Sequence, residues 1–194
     1  MAPERPIFHL TDEPALDALA HPMRSRILRL LLIEGLATAT TLGQRLGESS
    51  GVTSYHLRRL ADVGLVEEDV ERGSRKERWW RASEQVIQWS AADFLGNPKA
   101  HQATVAMRRN YYSWQARLLE QRLRDEELWD PTWVKAANDS DDYLTLTPSQ
   151  ADAMAKEIWE VVQRYRADAS PDDENAAKVI WWQHVVPVFN EIPV

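Results

Sequence analysis

The residues best equipped for chemistry gather between positions 38 and 76. Ser49, Ser50, Thr53 and Ser54 cluster where a short helix would begin, Tyr55 and His56 follow, and Arg58 and Arg59 lie one turn further on. Hydroxyls and free backbone N–H groups at the first turn of a helix can meet a phosphate or a base edge, and arginine can grip a phosphate or pair with guanine. Thr38 and Thr40 add two hydroxyls upstream, and Arg72, Ser74, Arg75 and Lys76 form a basic turn downstream. The set suits double-stranded DNA, with Thr53, Ser54 and Tyr55 expected in a groove and Arg58 or Arg59 on the backbone or a guanine. A plainer reading stands beside this one. Ser and Thr also cap helices, His56 beside the core residue Leu57 also suits a structural histidine, and arginines also make a solvated face.

The elements that must position these groups follow from periodicity. Apolar residues at Leu16, Leu19, Met23, Ile27, Leu28, Leu31 and Leu32 recur largely at helical spacing, with a break expected at His21 and Pro22 and a stop at Gly35. Thr38 is a fitting N-cap for a short helix carrying Leu42 and Leu46 and ending at Gly47. After a turn, a second helix is expected from about 51 to 63, with Val52, Leu57 and Leu60 inward and Gly64 ending it. Two short helices joined this way form a helix-turn-helix. The period then changes, so that 65–70 and 77–81 read as two strands flanking a hairpin tip at 72–75, a wing. Five basic residues (Arg72, Arg75, Lys76, Arg78, Arg81) less Glu77 give this tip and its second strand a net of +4. Glu67, Glu68, Asp69 and Glu71 on the first strand are placed to pair with some of them.

Four stretches, LDALAHPMRSRILRLL (Leu16 to Leu31), TLGQRLG (Thr41 to Gly47), VTSYHLRRLADVGLV (Val52 to Val66) and ERGSRKERWWR (Glu71 to Arg81), resemble in order the arsenic-repressor (ArsR) type of winged-helix transcription regulators. The resemblance covers about a third of the chain and implies a DNA-binding domain. It has departures. Metal-sensing members often carry cysteines in the helix before the turn, and Thr41 to Glu48 has none. Gly43 also stands where a helix former is expected, at a cost of about 1 kcal/mol relative to Ala. The chain after residue 90 exceeds the family's minimal form.

Composition narrows the rest. The 194 residues carry 30 acidic and 23 basic side chains, a net of -7, and 44% hydrophobic residues, which suits one or two folded domains. Up to residue 90 there are 12 basic and 13 acidic residues, and beyond it 11 and 17, so the net charges are -1 and -6. A protein that coats nucleic acid by bulk charge is disfavoured, and any DNA contact must be local. The absence of cysteine excludes disulfides, thiolate metal sites and a cysteine nucleophile, and suits a reducing compartment. With no apolar run long enough to span a bilayer and no signal-peptide core, a cytoplasmic protein without membrane contact is expected. No paired catalytic carboxylates, HExxH spacing, phosphate loop or nucleophile elbow appears, so neither an enzyme nor a bound cofactor or metal is expected. His101 and His184 are the histidines left for a metal site between subunits, and isolated histidines are more often structural.

The second half is less specified. Val105, Met107, Tyr111, Trp114, Leu118 and Leu119 mark a long helix over about 101–128, read as a dimerisation helix or as an intrachain core helix. Tyr143 to Leu146 reads as a strand, Thr147 to Gln150 as a capping box with Pro148 at its first helical position, and 151–165 as an amphipathic helix. Alternation over 178–186 reads as a second strand. Nine Trp outnumber Tyr and Phe together, five and three. Most suit core filling, while Trp114, Trp159, Trp181 and Trp182 are candidates for an aromatic pocket that takes a small-molecule effector. The expected architecture is mainly α with small β elements (α+β). A winged helix-turn-helix at 12–82 precedes a dimerisation and ligand-sensing domain at 83–194 that contains the long helix and a strand-helix-strand element. The expected role is a homodimeric, sequence-specific DNA-binding regulator that represses from a palindromic site. A protein-interaction adaptor that docks through the winged helix and the Trp-rich half is the alternative.

Overall fold

The computed structural model describes residues 7–10, 13–72, 77–83, 86–88, 91–94 and 96–189. It divides into two compact units, residues 5–136 and, in the second half, residues from 137 onward.

The first unit opens with a short strand, β1 (Ile7–His9), and the break expected at His21 and Pro22 follows. Helix α1 (Glu13–Ala20) stops there, and α2 (Pro22–Glu34) begins on the proline, whose missing N–H is no loss in a first turn. His21 caps α2, its Nδ1 accepting the Met23 N–H at 3.2 Å. Arg24 serves the other side of the junction. Its Nε donates to the Ala18 carbonyl at 2.8 Å and its Nη2 to that of Asp17 at 2.7 Å, satisfying groups that the end of α1 leaves open.

A two-residue strand, β2 (Ala37–Thr38), leads into α3 (Ala39–Leu46). Thr38 and Thr41 form a reciprocal capping box, with the Thr41 N–H donating to Thr38 Oγ1 at 3.2 Å and the Thr38 N–H to Thr41 Oγ1 at 2.9 Å. Gly47 ends α3 in the left-handed conformation at φ 71°, and Ser49 caps α4 (Ser50–Ala61) by accepting the Val52 N–H at 3.3 Å. Gly43 now has a reason to be glycine. A Cβ built there would lie 2.7 Å from the Glu48 carbonyl oxygen, because the turn after α3 folds back onto this position. The Glu48 N–H in turn donates to the Gly43 carbonyl at 2.9 Å.

The wing strands are β3 (Val66–Asp69) and β4 (Trp79–Ala82), antiparallel with Glu67 opposite Arg81 and Asp69 opposite Trp79. Strand β2 pairs with the other edge of β4, so the three-stranded order is β2-β4-β3. Trp80, at 5% exposure, pins the wing to the core formed by Leu16, Ile27, Leu31, Leu57 and Leu60. After the wing, β5 (Val86–Gln88) returns to pair in parallel with β1, an element the sequence did not reveal.

The long helix is α5 (Pro98–Asp125), 28 residues and so about 42 Å. Asn97 caps it through Oδ1, which accepts the N–H groups of Lys99 at 3.1 Å and Ala100 at 3.2 Å. Its first turns pack on α1 and α2 through Ala100, Ala103, Thr104 and Met107. Further along, Leu119 and Leu123 are exposed. The helix therefore meets the intrachain reading at its base and leaves its far end open. This packing also carries the first compact unit past the expected boundary at 82 to a short helix, α6 (Pro131–Ala136).

In the second unit the expected helix is present as α7 (Pro148–Ala167), with Thr147 and Gln150 in the expected capping box. The strands expected on either side are not. Residues 143–146 and 178–186 carry no ladder, and Tyr143, Val179, Trp181 and Val186 are exposed, so the strand-helix-strand element is corrected to a single helix. Alternating residues make a strand only when a neighbouring strand satisfies their backbone groups. No helix among the described residues is long and apolar enough to cross a membrane.

The tight turn generates a prediction. Gly43→Ala raises intrinsic helix propensity yet costs roughly 1–3 kcal/mol in chemical denaturation, because the methyl meets backbone that cannot move aside. A stabilised variant would contradict the close approach at Glu48.

Candidate nucleic-acid interface

Helix α4 has two faces. Thr53, His56, Leu57 and Leu60 point inward, and Gly51, Val52, Tyr55, Arg58 and Arg59 point outward, with Ser54 half-buried between them. Two expectations change. Val52, expected inside, is exposed, and Thr53, expected in the groove, is fully buried at 0% exposure. The Thr53 hydroxyl lies 2.6 Å from the Ala39 carbonyl and 3.1 Å from those of Ser49 and Ser50, so its donor is spent tying α4 to the start of α3. Counting back four residues from Leu57 and Leu60 gives Thr53 and His56, a signal the sequence held.

His56 is buried as well, at 8% exposure, and follows its plainer reading. Its ring lies 4.7 Å from that of His21 and 5.2 Å from that of Tyr55, and its Nδ1 is buried without a hydrogen-bond partner among the described residues. Burial holds the His56 imidazole below its ordinary range, assisted by His21 and Arg24. Burial and then Arg24 do the same to His21. Thr38 is also buried and spent on the α3 cap, whereas Thr40 is exposed two residues further on. Ser49 and Ser50 are exposed at the start of α4, with Ser49 acting as the cap.

The outward surface is thus Tyr55, 55% exposed, with Arg58 and Arg59 one turn on and the polar start of the helix at Ser50. Arg59 makes a 3.3 Å exposed ion pair with Asp62, a contact worth little in water and easily exchanged for a phosphate. Arg24 lies close enough to Arg59 for their charges to oppose each other, and burial lowers its pKa first of all.

On the wing, Asp69 Oδ1 accepts the N–H groups of Glu71 at 3.2 Å and Arg72 at 3.1 Å, opening the hairpin turn. Arg72 is exposed, while Ser74, Arg75 and Lys76 lie outside the described residues. Two of the five basic residues counted in the tip and second strand are committed internally. Arg81 pairs with Glu67 at 2.6 Å and Arg78 with Glu68 at 3.3 Å.

The four Trp residues expected to line a pocket do not share one compact unit. Trp114 belongs to the first, where the Arg29 guanidinium sits 4.9 Å over its ring. Trp159 faces Arg166 at 5.8 Å, Trp182 is half-buried and Trp181 is 63% exposed in the second.

A capped helix pair with a tight turn, a second helix carrying a polar and basic outer face, and a three-stranded wing define a winged helix-turn-helix, a DNA-binding class of transcription regulators. Residues 19–69 match the family model described as a helix-turn-helix domain. The arsenic-repressor type read from the motifs between Leu16 and Arg81 is the type this match supports. Among solved structures, the chain is similar to HlyU from Vibrio cholerae N16961, with 22% identity, 50% of this chain and 88% of that one covered, and a TM-score of 0.33. It is also similar to a possible transcriptional regulator for arsenical resistance, at 24% identity, 59% and 97% coverage and a TM-score of 0.32. A third is the C30AH42A mutant of ZitR from Lactococcus lactis, at 12% identity, 75% and 75% coverage and a TM-score of 0.32. Overlaps this loose do not bear on function. No curated protein matches the chain.

The histidine pair gives a pH prediction. Both imidazoles sit below their ordinary value of 6.5 in the fold, so on acidification the unfolded chain takes up protons first. Their contribution to stability is complete above that value and is lost as pH falls from it toward the folded-state values. The melting temperature is expected to drop as pH is lowered from about 6.5. In the double variant His21→Asn with His56→Gln, which keeps a side-chain acceptor at the α2 cap, the drop should shrink. An unchanged pH dependence in that variant would remove the histidines from the account.

Proposed function

We propose that this protein is a sequence-specific transcription regulator that binds double-stranded DNA as a homodimer and represses by occupying a palindromic promoter site. The observation that carries the reading is the outer face of α4, where Tyr55, Arg58 and Arg59 project from a helix whose inner side is locked to α3. In this reading α4 enters the major groove, with Tyr55 and Ser54 at base edges and Arg58 or Arg59 on a phosphate or a guanine. The exposed Ser49, Ser50 and Thr40 lie toward the sugar-phosphate backbone, and Arg72 with the tip residues Ser74, Arg75 and Lys76 follows the adjacent groove. Homodimerisation is supported by the apolar residues exposed toward the far end of α5, Leu119 and Leu123. A two-fold dimer would place two α4 helices on half-sites about one helical turn apart, and an effector that changes that spacing would release DNA.

Titration of a fragment from the protein's own upstream region, at several salt concentrations, tests this. The affinity is expected to fall steeply with salt, and Arg59→Ala or Arg72→Ala should each weaken binding on all sequences and flatten the salt dependence by about one phosphate contact. Tyr55→Ala should instead alter base preference by roughly 1–3 kcal/mol at one position of the site. Thr53→Val should lower stability by about 1–2 kcal/mol without changing preference, since its hydroxyl serves Ala39. Absence of binding at low salt, to that region and to random DNA alike, would defeat the proposal.

A further inference from the structure

Between the start of α2 and the middle of α5 lies a cleft of about 340 Å³, lined by Pro22, Arg26, Arg29, Asn110, Ser113 and Arg117. Three of its six lining residues are arginines and none is acidic. Elsewhere in the same unit Arg45, Arg59, Arg78, Arg81 and Arg122 each meet a carboxylate. The Arg26 and Arg117 side chains make no ion pair or hydrogen bond among the described residues, and Arg29 meets no carboxylate there. Arg26 and Arg117 are exposed and screened by water, so the convergence costs little, and an anion held among the three guanidiniums would gain from all of them at once.

Arg29 shows how the cleft is prepared. Its guanidinium is held by the faces of Trp114 at 4.9 Å and Tyr111 at 5.5 Å, and its Nη1 donates to the Asn110 carbonyl at 3.3 Å. Burial, with the nearby Arg117 charge adding to it, lowers its pKa to about 10, so it remains charged at neutral pH while partly stripped of water. Stacking fixes the planar group in advance, and little side-chain freedom is left to lose on binding. Asn110 is fixed too, its Nδ2 donating to the Ala20 carbonyl at 2.9 Å. Ser113 adds a hydroxyl at the rim. Oriented guanidiniums match the oxygens of a phosphate or carboxylate, and the volume suits a small molecule.

We propose that this α2–α5 cleft binds a small oxyanion of two or more negative charges, a phosphate ester or a polycarboxylate, through Arg26, Arg29 and Arg117. The site is separate from the outer face of α4, and its occupation can be measured without DNA.

The test is calorimetric titration of the full chain with inorganic pyrophosphate and with citrate, in chloride buffer of matched ionic strength. One saturable site is expected for at least one anion, with a dissociation constant of roughly a millimolar or tighter. Binding of pyrophosphate alone assigns a phosphate ester, and binding of citrate alone a polycarboxylate. Arg26→Gln and Arg117→Gln are both substitutions at exposed side chains, so the fold is expected to survive them, which a circular dichroism melt checks. Each should weaken binding by about tenfold, the loss of one charge-assisted contact, and the double variant by more. Arg45→Gln, which removes an exposed charge elsewhere, should leave binding as it was. The proposal fails if neither anion binds, if the double variant binds as well as the parent, or if Arg45→Gln weakens binding equally. It also fails if the double variant loses only DNA affinity while neither anion binds, an outcome that would give these arginines to the DNA backbone.

Discussion

The turn between α3 and α4 leaves no room for a methyl group at Gly43, and the Thr53 hydroxyl crosses the same junction to the Ala39 carbonyl. Together these contacts fix both the separation of the two helices and the rotation of α4 about its own axis. The rotation matters more for function. A helix turned by one residue, about 100°, would carry Tyr55 into the inward place of His56 and Leu57 into the outward place of Arg58. The outer face of α4 is therefore a product of what its inner face is bonded to, and the side chain that looked most like a DNA reader is part of the lock.

Charge is distributed with similar economy. The chain is acidic overall, yet its basic groups divide by task. Arg24 closes the end of α1, Arg78 and Arg81 hold the wing hairpin against Glu68 and Glu67, and Arg29 stacks on two aromatic rings. On α4 and the wing, what remains outward for a polyanion is a short series, Arg58, Arg59 and Arg72 among the described residues. With so few cations outward there, contact of this surface with a polyanion would depend on the shape and placement of α4 more than on bulk attraction.

Much of this was legible in the sequence because the signals were local. Pro22, Thr38, Gly47, Ser49 and Thr147 mark helix ends through chemistry that acts within a few residues, and each boundary falls where that chemistry places it. The wing was legible from a change of period. What failed depended on partners distant in sequence. Val52 looked inward because it is apolar, although the four-residue spacing from Leu57 and Leu60 pointed to Thr53 and His56. The alternation at 178–186 resembled a strand but has no strand to pair with, and β1 with β5 is a pairing across most of the first unit that neither segment announces. Gly43, an apparent weakness in its helix, became intelligible only once Glu48 was seen against it.

The asymmetric seating of α5 has a mechanical meaning. Of its 28 residues, those up to about Trp114 are seated against α1 and α2, while the last turns, with Leu119 and Leu123 exposed, extend beyond them. A rod fixed at its base is a lever. A tilt of about 5° where Ala103 and Met107 are seated moves Leu123, about 24–30 Å further along, by roughly 2–3 Å. Small repacking at the base, near the helix that precedes the helix-turn-helix, is thus magnified at Leu123, and displacement of Leu123 is geared down into a fine adjustment of the domain that carries α4.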